Sequence, residues 1–344
     1  MKTLLAFDSF KGSLSAREAV EVAASVLPGE AVRLPLSDGG EGFTECMVNA
    51  FGGTFRTIRV QDPLGRPVDA RYSLVRNGSI AVIETAAACG ITLLDYRELN
   101  PWNASSFGAG EMILDAVNQH VNEIWIGLGG TAVMDGGTGM LEALGPVPPS
   151  VRIRAFFDAD VPLTGPQGAA FVFGPQKGAN REMVLRLDAR FRRLACLWKD
   201  QYGIDADSIP GSGAAGGIGA ALGVCLGAEM HPGIGAVLEA VGFRERLSGC
   251  SLVLTGEGKA DRQTLTGKVP YGVLKEARRF SPDIPVVLMA GRVEDKADLL
   301  AAGFTDVIQI TPENELDGTG LEKEVAAANL KRAVQDFQDL RNQH

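Results

Sequence analysis

Glu123-Ile124-Trp125-Ile126-Gly127-Leu128-Gly129-Gly130-Thr131 is the stretch that most decides the fold, because an apolar run passes directly into a glycine-rich loop. The apolar part is typical of a buried strand in a parallel sheet. Glycine after such a strand lets backbone N–H groups approach a phosphate closely. Four further glycine-rich loops carry acidic or small polar side chains, namely Asp38-Gly39-Gly40-Glu41-Gly42, Asp135-Gly136-Gly137, Gly211-Ser212-Gly213-Ala214-Ala215-Gly216-Gly217 and Gly256-Glu257-Gly258. Glycine loops beside carboxylates indicate phosphate chemistry.

Strands and helices are predicted to alternate along most of the chain. Strands near residues 4, 32, 124, 252, 286 and 307 are expected to form one doubly wound parallel sheet, because helical spacing follows most of them. The first helix is predicted over 15–27, with Ser15 as its N-cap and Glu18 completing a capping box. Residues 54–86 differ, since three short strands joined by turns predict a meander and therefore a second domain.

The sequence thus predicts an α/β protein with two domains. We expect a discontinuous domain, built on the doubly wound parallel sheet, from residues 1–54, 95–145 and 250–344. An inserted α/β domain is expected from residues 55–94 and 146–249. Ligands of doubly wound sheets bind at the carboxyl ends of the strands. Asp8, Asp38, Gly129 and Glu257 each follow a strand, so they are predicted to lie on one rim.

Composition excludes several classes of function. The 344 residues carry a formal net charge of −9, which argues against nucleic acid or an anionic membrane as the main partner. The five cysteines are dispersed and form no CxxC pair, which favours reduced thiols and a cytoplasmic location. With only three histidines, the chain has few residues from which to build a zinc site or a histidine-based triad. The first residues do not resemble a signal peptide, and no apolar run is long enough to span a bilayer.

The loop from Gly127 to Ala132 leaves more than one function open. It fits the G-x-G-x-x-G/A pattern of dinucleotide-binding folds, so a dinucleotide-dependent oxidoreductase is one alternative. The acidic residue expected about twenty positions later is absent, which favours a phosphate cradle instead. The glycines could also serve only to permit a tight turn. A phosphotransferase here would need another design, since the sequence has neither a Walker loop nor the protein-kinase signatures.

Charged side chains beside the glycine loops each have two interpretations. Asp38 and Glu41 could bind Mg²⁺ or activate a hydroxyl, or they could complement a helix dipole. The same alternatives hold for Asp135. Lys177 and Lys268, like Lys11 near the first strand, could bind a carboxylate or a phosphate, or they could be solvated surface lysines.

Several ordered segments together resemble the bacterial type of the glycerate kinase family, which lacks a Walker loop. The matching segments are 8–16, 37–42, 84–90, 127–139, 173–179, 210–219, 255–261 and 267–270, and the resemblance runs over nearly the whole chain. It implies a flavodoxin-like domain with an inserted second α/β domain and an active site in the interdomain cleft. It also implies ATP- and Mg²⁺-dependent phosphorylation of D-glycerate to 2-phosphoglycerate.

The loops and the resemblance together give a predicted site. The catalytic candidates are Asp38, Asp158, Lys11 and Lys268. The candidates for nucleotide or phosphate binding are Gly129, Gly130, Thr131, Gly211, Ser212, Gly213 and Lys177. The candidates for substrate binding are Asp8, Ser9, Ser13, Gly39 and Gly40. The candidate metal ligands are Glu41, Asp135 and Glu257. The expected small-molecule partners are glycerate and ATP with Mg²⁺, and a homodimer is left open.

The chain departs from the family pattern in four places, one of which is the run Ala104-Ser105-Ser106, where the family usually has Thr-Thr followed by Ser or Thr. Met134 and Val161 stand where the family usually has asparagine, and the segment between Gly145 and Val151 is shorter than usual. These departures leave open a kinase of a related hydroxy acid and an inactive ligand-binding descendant.

Overall fold

The polypeptide is organised around two sheets in the computed structural model, which describes residues 1–10, 12–146, 150–315 and 321–342. The strands are β1 (Lys2–Phe7), β2 (Glu30–Arg33), β3 (Gly53–Gln61), β4 (Pro67–Val75), β5 (Ile80–Glu84), β6 (Glu123–Leu128), β7 (Arg152–Phe157), β8 (Glu229–Pro232), β9 (Leu252–Ala260), β10 (Val286–Val293) and β11 (Asp306–Gln309). The α-helices are α1 (Ala16–Ala24), α2 (Phe43–Phe51), α3 (Ala86–Cys89), α4 (Phe107–Asn118), α5 (Thr138–Leu144), α6 (Ala169–Phe173), α7 (Arg181–Tyr202), α8 (Ala214–Ala220), α9 (Gly233–Ala240), α10 (Phe243–Leu247), α11 (Val269–Phe280), α12 (Lys296–Ala301) and α13 (Lys323–Asn342).

Local sequence explains where several helices begin. The predicted capping box of α1 is confirmed, because Glu18 N donates to Ser15 Oγ and Ser15 N donates to the Glu18 carboxylate. Asn180 caps α7 by accepting a hydrogen bond from Met183 N at 2.9 Å. Pro270 lies in the first turn of α11, where its missing N–H costs no helical hydrogen bond.

The first compact unit, here called the flavodoxin-like unit, consists of Met1–Asp38 and Ile234–His344. Its sheet has the order β11-β10-β9-β1-β2, and all neighbouring strands are parallel. Numbered along this unit alone, the strand order is 2-1-3-4-5, which is the flavodoxin order. Leu5, Leu254 and Leu330 belong to the core between the sheet and helices α1 and α13. The expected flavodoxin-like fold is therefore confirmed.

The second compact unit, here called the central unit, is Gly39–Gly233. Its six-stranded sheet has the order β3-β4-β5-β6-β7-β8. Strands β3, β4 and β5 are antiparallel neighbours, whereas β5 to β8 run parallel. The predicted meander over 54–86 is therefore confirmed, and it continues into a parallel α/β half. The buried residues Ile126, Met134, Phe157 and Phe191 belong to the core of this unit.

The boundaries of the two units differ from the predicted domains. The strand near residue 124 was expected in the doubly wound sheet, but β6 pairs with β5 and β7 in the central unit. The chain leaves β5, forms α3 and α4, and returns to the neighbouring parallel strand, as in a βαβ crossover. Residues 39–54 and 95–145 consequently belong to the central unit, and 234–249 belong to the flavodoxin-like unit. An apolar run identifies a buried strand but does not identify its sheet.

Among the residues that the structure describes, no helix combines the length and the apolar character needed to cross a membrane.

Candidate active site

Two of the predicted glycine loops meet in the central unit. A Cβ atom added to Gly127 would lie 2.3 Å from the carbonyl oxygen of Gly39, and one added to Gly129 would lie 2.8 Å from Gly40 Cα. Neither distance is compatible with a side chain. The glycines at these positions therefore allow the loop after Asp38 to cover the carboxyl end of β6.

A cavity of about 260 Å³ opens where β6 and β7 end. Its walls include Gly129, Gly130 and Thr131 after β6, Asp158 and Ala159 after β7, Gln176 and Lys177 before α7, and Ala214 and Ala215 of α8. Five residues predicted for phosphate binding or catalysis thus line one space, namely Gly129, Gly130, Thr131, Asp158 and Lys177. Parallel strands bring their carboxyl ends to one edge, which explains the convergence of residues so distant in sequence.

Lys177 is the buried cation of this cavity. Its side chain is only 4% exposed, and its Nζ donates to Thr131 Oγ1 at 3.1 Å and to the Val133 carbonyl oxygen at 2.9 Å. Burial lowers the pKa of Lys177 from 10.5 to about 7, although the negative charge of Asp135 opposes the change. The surface-lysine alternative is therefore wrong for Lys177. An ammonium group held this way is ready to pair with an anion in the cavity.

The backbone N–H groups distinguish the two predicted phosphate cradles. Those of Gly130 and Thr131 donate no hydrogen bond outside the strand ladders among the described residues. At the other loop, Gly211 N donates to Asp160 Oδ1, Ser212 N to Ile209 O and Gly213 N to Val161 O. The structure does not support the predicted cradle at Gly211–Gly213, because all three donors are already used to fix the loop.

Asp135 organises the backbone instead of facing a metal site. Its carboxylate accepts hydrogen bonds from the N–H and Oγ of Ser106 at 2.8 Å each, from Gly137 N at 3.0 Å and from Gly139 N at 3.2 Å. The residue is 7% exposed. These four contacts join the start of α4 to the start of α5. The predicted role of Asp135 as a metal ligand is not supported, because Oδ2 accepts three of these hydrogen bonds and Oδ1 accepts the fourth, from Gly137 N.

The remaining predicted residues of the central unit are less constrained. Glu41 is exposed and lies just before α2, so the structure favours the helix-dipole interpretation for it. Glu84, which the sequence analysis did not select, is the last residue of β5 and accepts hydrogen bonds from Thr44 N and Thr44 Oγ1 at 2.8 Å each. Burial raises the pKa of Glu84. The signal was available, because Glu84 is an acid directly at a strand end, as Asp158 is.

In the flavodoxin-like unit, Asp8 follows β1 and lies beside β9; Glu257, predicted in a loop after this strand, is instead a residue of β9 itself. Asp8 N donates to the Gly256 carbonyl oxygen at 2.9 Å, and β1 and β9 flank the point where the strand order reverses. Ser9 is buried with its N–H bonded to Asp8 Oδ1, and Ser13 Oγ donates to Phe10 O. The single rim predicted for Asp8, Asp38, Gly129 and Glu257 is wrong in two respects: Gly129 follows a strand of the other sheet, and Glu257 lies within β9 and not after it.

Glu257 is already paired within the flavodoxin-like unit. It is 5% exposed, accepts a hydrogen bond from Thr264 Oγ1 at 2.6 Å and lies 3.4 Å from Lys268 Nζ. Burial raises its pKa, whereas Thr264 and Lys268 lower it. Lys268 is half-exposed and stands directly before α11. Lys11, a predicted catalytic residue, lies outside the described residues.

Comparison with known proteins identifies the family. A model described as "Glycerate kinase family" matches residues 3–148 and 146–341. The chain belongs to the glycerate kinase family. The Glycerate 2-kinase of Escherichia coli (strain K12) is 38% identical over 343 residues, 90% of each chain. The Glycerate kinase of Halalkalibacterium halodurans is 37% identical over 323 residues, 84% of each chain. A solved structure assigned as glycerate kinase 2, from Salmonella typhimurium LT2, has a TM-score of 0.83 at 35% identity and covers 99% of this chain and 98% of that chain.

Family membership confirms the resemblance found in the sequence. It also shows that this protein is a kinase, so the alternative of a dinucleotide-dependent oxidoreductase is wrong. The departures from the family pattern lie mostly away from the cavity. Met134 is completely buried in the core of the central unit, and Val161 is half-buried with its carbonyl oxygen accepting from Gly213 N. Neither residue lines the cavity. Residues 147–149 of the shortened segment lie outside the described residues.

Proposed function

We propose that this protein is an ATP-dependent glycerate kinase that phosphorylates the 2-hydroxyl of D-glycerate to 2-phosphoglycerate. Family membership supports the proposal, and one relative is named Glycerate 2-kinase. The observation that carries it is the cavity of the central unit, where an amide loop, a buried lysine and a carboxylate converge. Phosphoryl transfer needs these three kinds of group, to hold the phosphate, to neutralise its charge and to accept the hydroxyl proton.

The polar wall of the cavity would bind the transferring phosphoryl group of ATP. The N–H groups of Gly130 and Thr131 would donate to phosphate oxygens, and Lys177 Nζ lies beside them on Thr131 Oγ1. A bound anion favours the charged form of a neighbouring lysine. Lys177, whose pKa is about 7, would therefore take up a proton as the phosphate binds and offset the charge of the transition state.

Asp158 would accept the proton of the 2-hydroxyl. It is exposed, follows β7 directly and is the one acidic residue among those that line the cavity. A carboxylate within hydrogen-bond reach of the hydroxyl can act as its general base. Asp38 stays the second candidate base, and Lys268 a candidate for binding the glycerate carboxylate. The substrate-binding roles of Asp8, Ser9, Ser13, Gly39 and Gly40 stay predictions.

Mg²⁺ is proposed to enter with the nucleotide and not to occupy a centre built by the protein. Among the described residues, no group of three or more His, Cys, Asp or Glu side chains is arranged to hold a metal ion. The three predicted ligands do not fit a common site, because Asp135 and Glu257 already accept hydrogen bonds and Glu41 is exposed. Mg²⁺ in such enzymes is bound by substrate phosphates together with one or two carboxylates, and not by a dedicated cage of protein ligands. No residue of this chain is therefore assigned to the ion.

A cytoplasmic location and a homodimer stay predictions. The first has the support of the cysteines, all five of which are free thiols in the structure.

A coupled assay of ADP release tests the proposed function. D-Glycerate, tartronate and erythronate are offered with ATP and Mg²⁺, and phosphorus NMR of the product separates the 2- and 3-phosphates. We expect the highest kcat/KM with D-glycerate and a 2-phosphate product. ATP binding without ADP release on any acid would instead support the inactive descendant. A 3-phosphate product would correct the position of transfer.

A further inference from the structure

Three consecutive residues of α8 adopt left-handed backbone conformations, and only two of them are glycines, the residue for which this conformation is free of steric conflict. They are Ala215 (φ 49, ψ 38), Gly216 (φ 68, ψ 32) and Gly217 (φ 92, ψ 2). A Cβ atom would lie 1.9 Å from the Val133 carbonyl oxygen at Gly216 and 2.7 Å from Gly136 Cα at Gly217. Glycine is therefore required at 216 and 217. Ala215 alone carries a side chain in this turn, although a Cβ atom is unfavourable there.

Ala215 is the one residue with a small apolar side chain among the non-glycine residues with positive φ in the described chain. The others are Arg76, Asn77, His120 and Asp295. Asn, Asp and His tolerate this region best, because a short polar side chain can bond locally. Alanine has no such compensation. Ala215 is also 8% exposed and lines the cavity. Strained backbone tends to persist where a functional site requires it.

Hydrogen bonds join the segment around Ala215 to the loop that follows Asp158 and to Gly136. Gly211 N donates to Asp160 Oδ1 and Gly213 N donates to Val161 O, so the segment before Ala215 is bonded to the loop that follows Asp158. After Ala215, Gly136 N donates to the Gly216 carbonyl oxygen. The wall that contains Ala215 is thus fixed beside the proposed base.

We propose that the methyl group of Ala215 limits the size of the hydroxy acid that this cavity accepts; the inference rests on the proposed glycerate kinase function. Ala215 lines a cavity of about 260 Å³, and the methyl group is its whole side chain. A difference of one methylene in a pocket changes discrimination about 10- to 200-fold. Glycine would relieve the backbone strain and remove this methyl group from the lining that Ala215 shares with Asp158, so alanine at this position is explained by exclusion of longer acids.

The variant Ala215→Gly tests the inference, with His120→Gly as a matched control. His120 is exposed, has φ 60 and does not line the cavity. Ala215→Gly should raise Tm by roughly 1–3 °C, because glycine removes the left-handed strain, and His120→Gly should raise it less, because histidine tolerates this region better. Only Ala215→Gly should raise the kcat/KM ratio of erythronate to D-glycerate, by about tenfold, with the KM for ATP changed less than about twofold.

Two results separate this inference from the proposed function. An active Ala215→Gly enzyme with the wild-type ratio of erythronate to glycerate would overturn the inference alone. Wild-type protein that releases no ADP with any of the acids would overturn the proposed function and the inference with it.

Discussion

Replacing Lys177 by Met should stabilise the protein and remove its activity together. The side chains have similar length, but Met needs no solvation of a charge. In the folded protein the pKa of Lys177 is about 7, against the ordinary value of 10.5. Between these two pH values the unfolded chain binds more protons than the folded chain does. The wild-type free energy of unfolding therefore rises with pH in this window, and the burial penalty is complete below about pH 7.

The size of the effect follows from this difference in pKa. At pH 7 the gap between 10.5 and about 7 corresponds to a penalty of about 4 kcal/mol in the wild type. Met removes this penalty but also removes the hydrogen bonds to Thr131 Oγ1 and the Val133 carbonyl oxygen, which contribute about 1 kcal/mol each. We expect Lys177→Met to be about 2 kcal/mol more stable at pH 7. That advantage should shrink by about 1 kcal/mol per pH unit up to pH 9.

Urea unfolding of both proteins at pH 7, 8 and 9, with ADP release measured at pH 7.5, checks these values. Lys331→Met, on the exposed surface of α13, is the matched control for loss of one positive charge. ADP release by Lys177→Met should fall at least ~100-fold, since the charge on the transferring phosphate loses its partner. A stability difference between wild type and Lys177→Met that stays constant from pH 7 to 9 would refute the argument from burial. Near-normal turnover would refute the phosphate-binding role.

Three further predictions concern the base, the loop contact and the buried carboxylate. Asp158→Asn should lower kcat at least ~100-fold with little change in the KM for ATP, and a near-normal kcat would remove Asp158 as the base. Gly127→Ala should lower the free energy of unfolding, measured by urea titration, by about 2–4 kcal/mol, because its Cβ would lie 2.3 Å from Gly39 O. Gly235→Ala is the control: its Cβ would have no atom within 4 Å, so the same titration should show a neutral or stabilising effect. Asp135→Asn should destabilise by about 1–3 kcal/mol, because an amide nitrogen would face backbone donors; a Tm equal to that of wild type would contradict its role in joining α4 to α5.

The sequence predicted the positions of individual strands and helices better than it predicted which sheet each strand joins. Strand β6 and the capping box of α1 were predicted close to where they lie, because apolar runs and capping residues act over a few neighbours. The sheet to which β6 belongs was predicted wrongly. Pairing depends on which strands are adjacent after the chain has folded, and no pattern within 123–128 contains that information.

The sequence likewise predicted some residues of the candidate site correctly and assigned unsupported roles to others. Gly129, Thr131, Asp158 and Lys177 were selected from glycine loops and strand ends, and they do line one cavity. The predicted amide cradle at Gly211–Gly213 and the metal role of Asp135 were not supported. Their donors and oxygens are used by groups that a sequence cannot show to be near, such as the Asp160 carboxylate and the Ser106 hydroxyl.

The sequence by itself determined the family, the α/β character and the residue types available for phosphate chemistry, since ordered motifs and short-range periodicity are properties of the chain. The tertiary structure decided which of those residues are available for binding, by pairing some with internal partners and leaving others beside a cavity. It also lowered the pKa of Lys177, because desolvation depends on the surrounding atoms and not on the neighbouring residues in the chain.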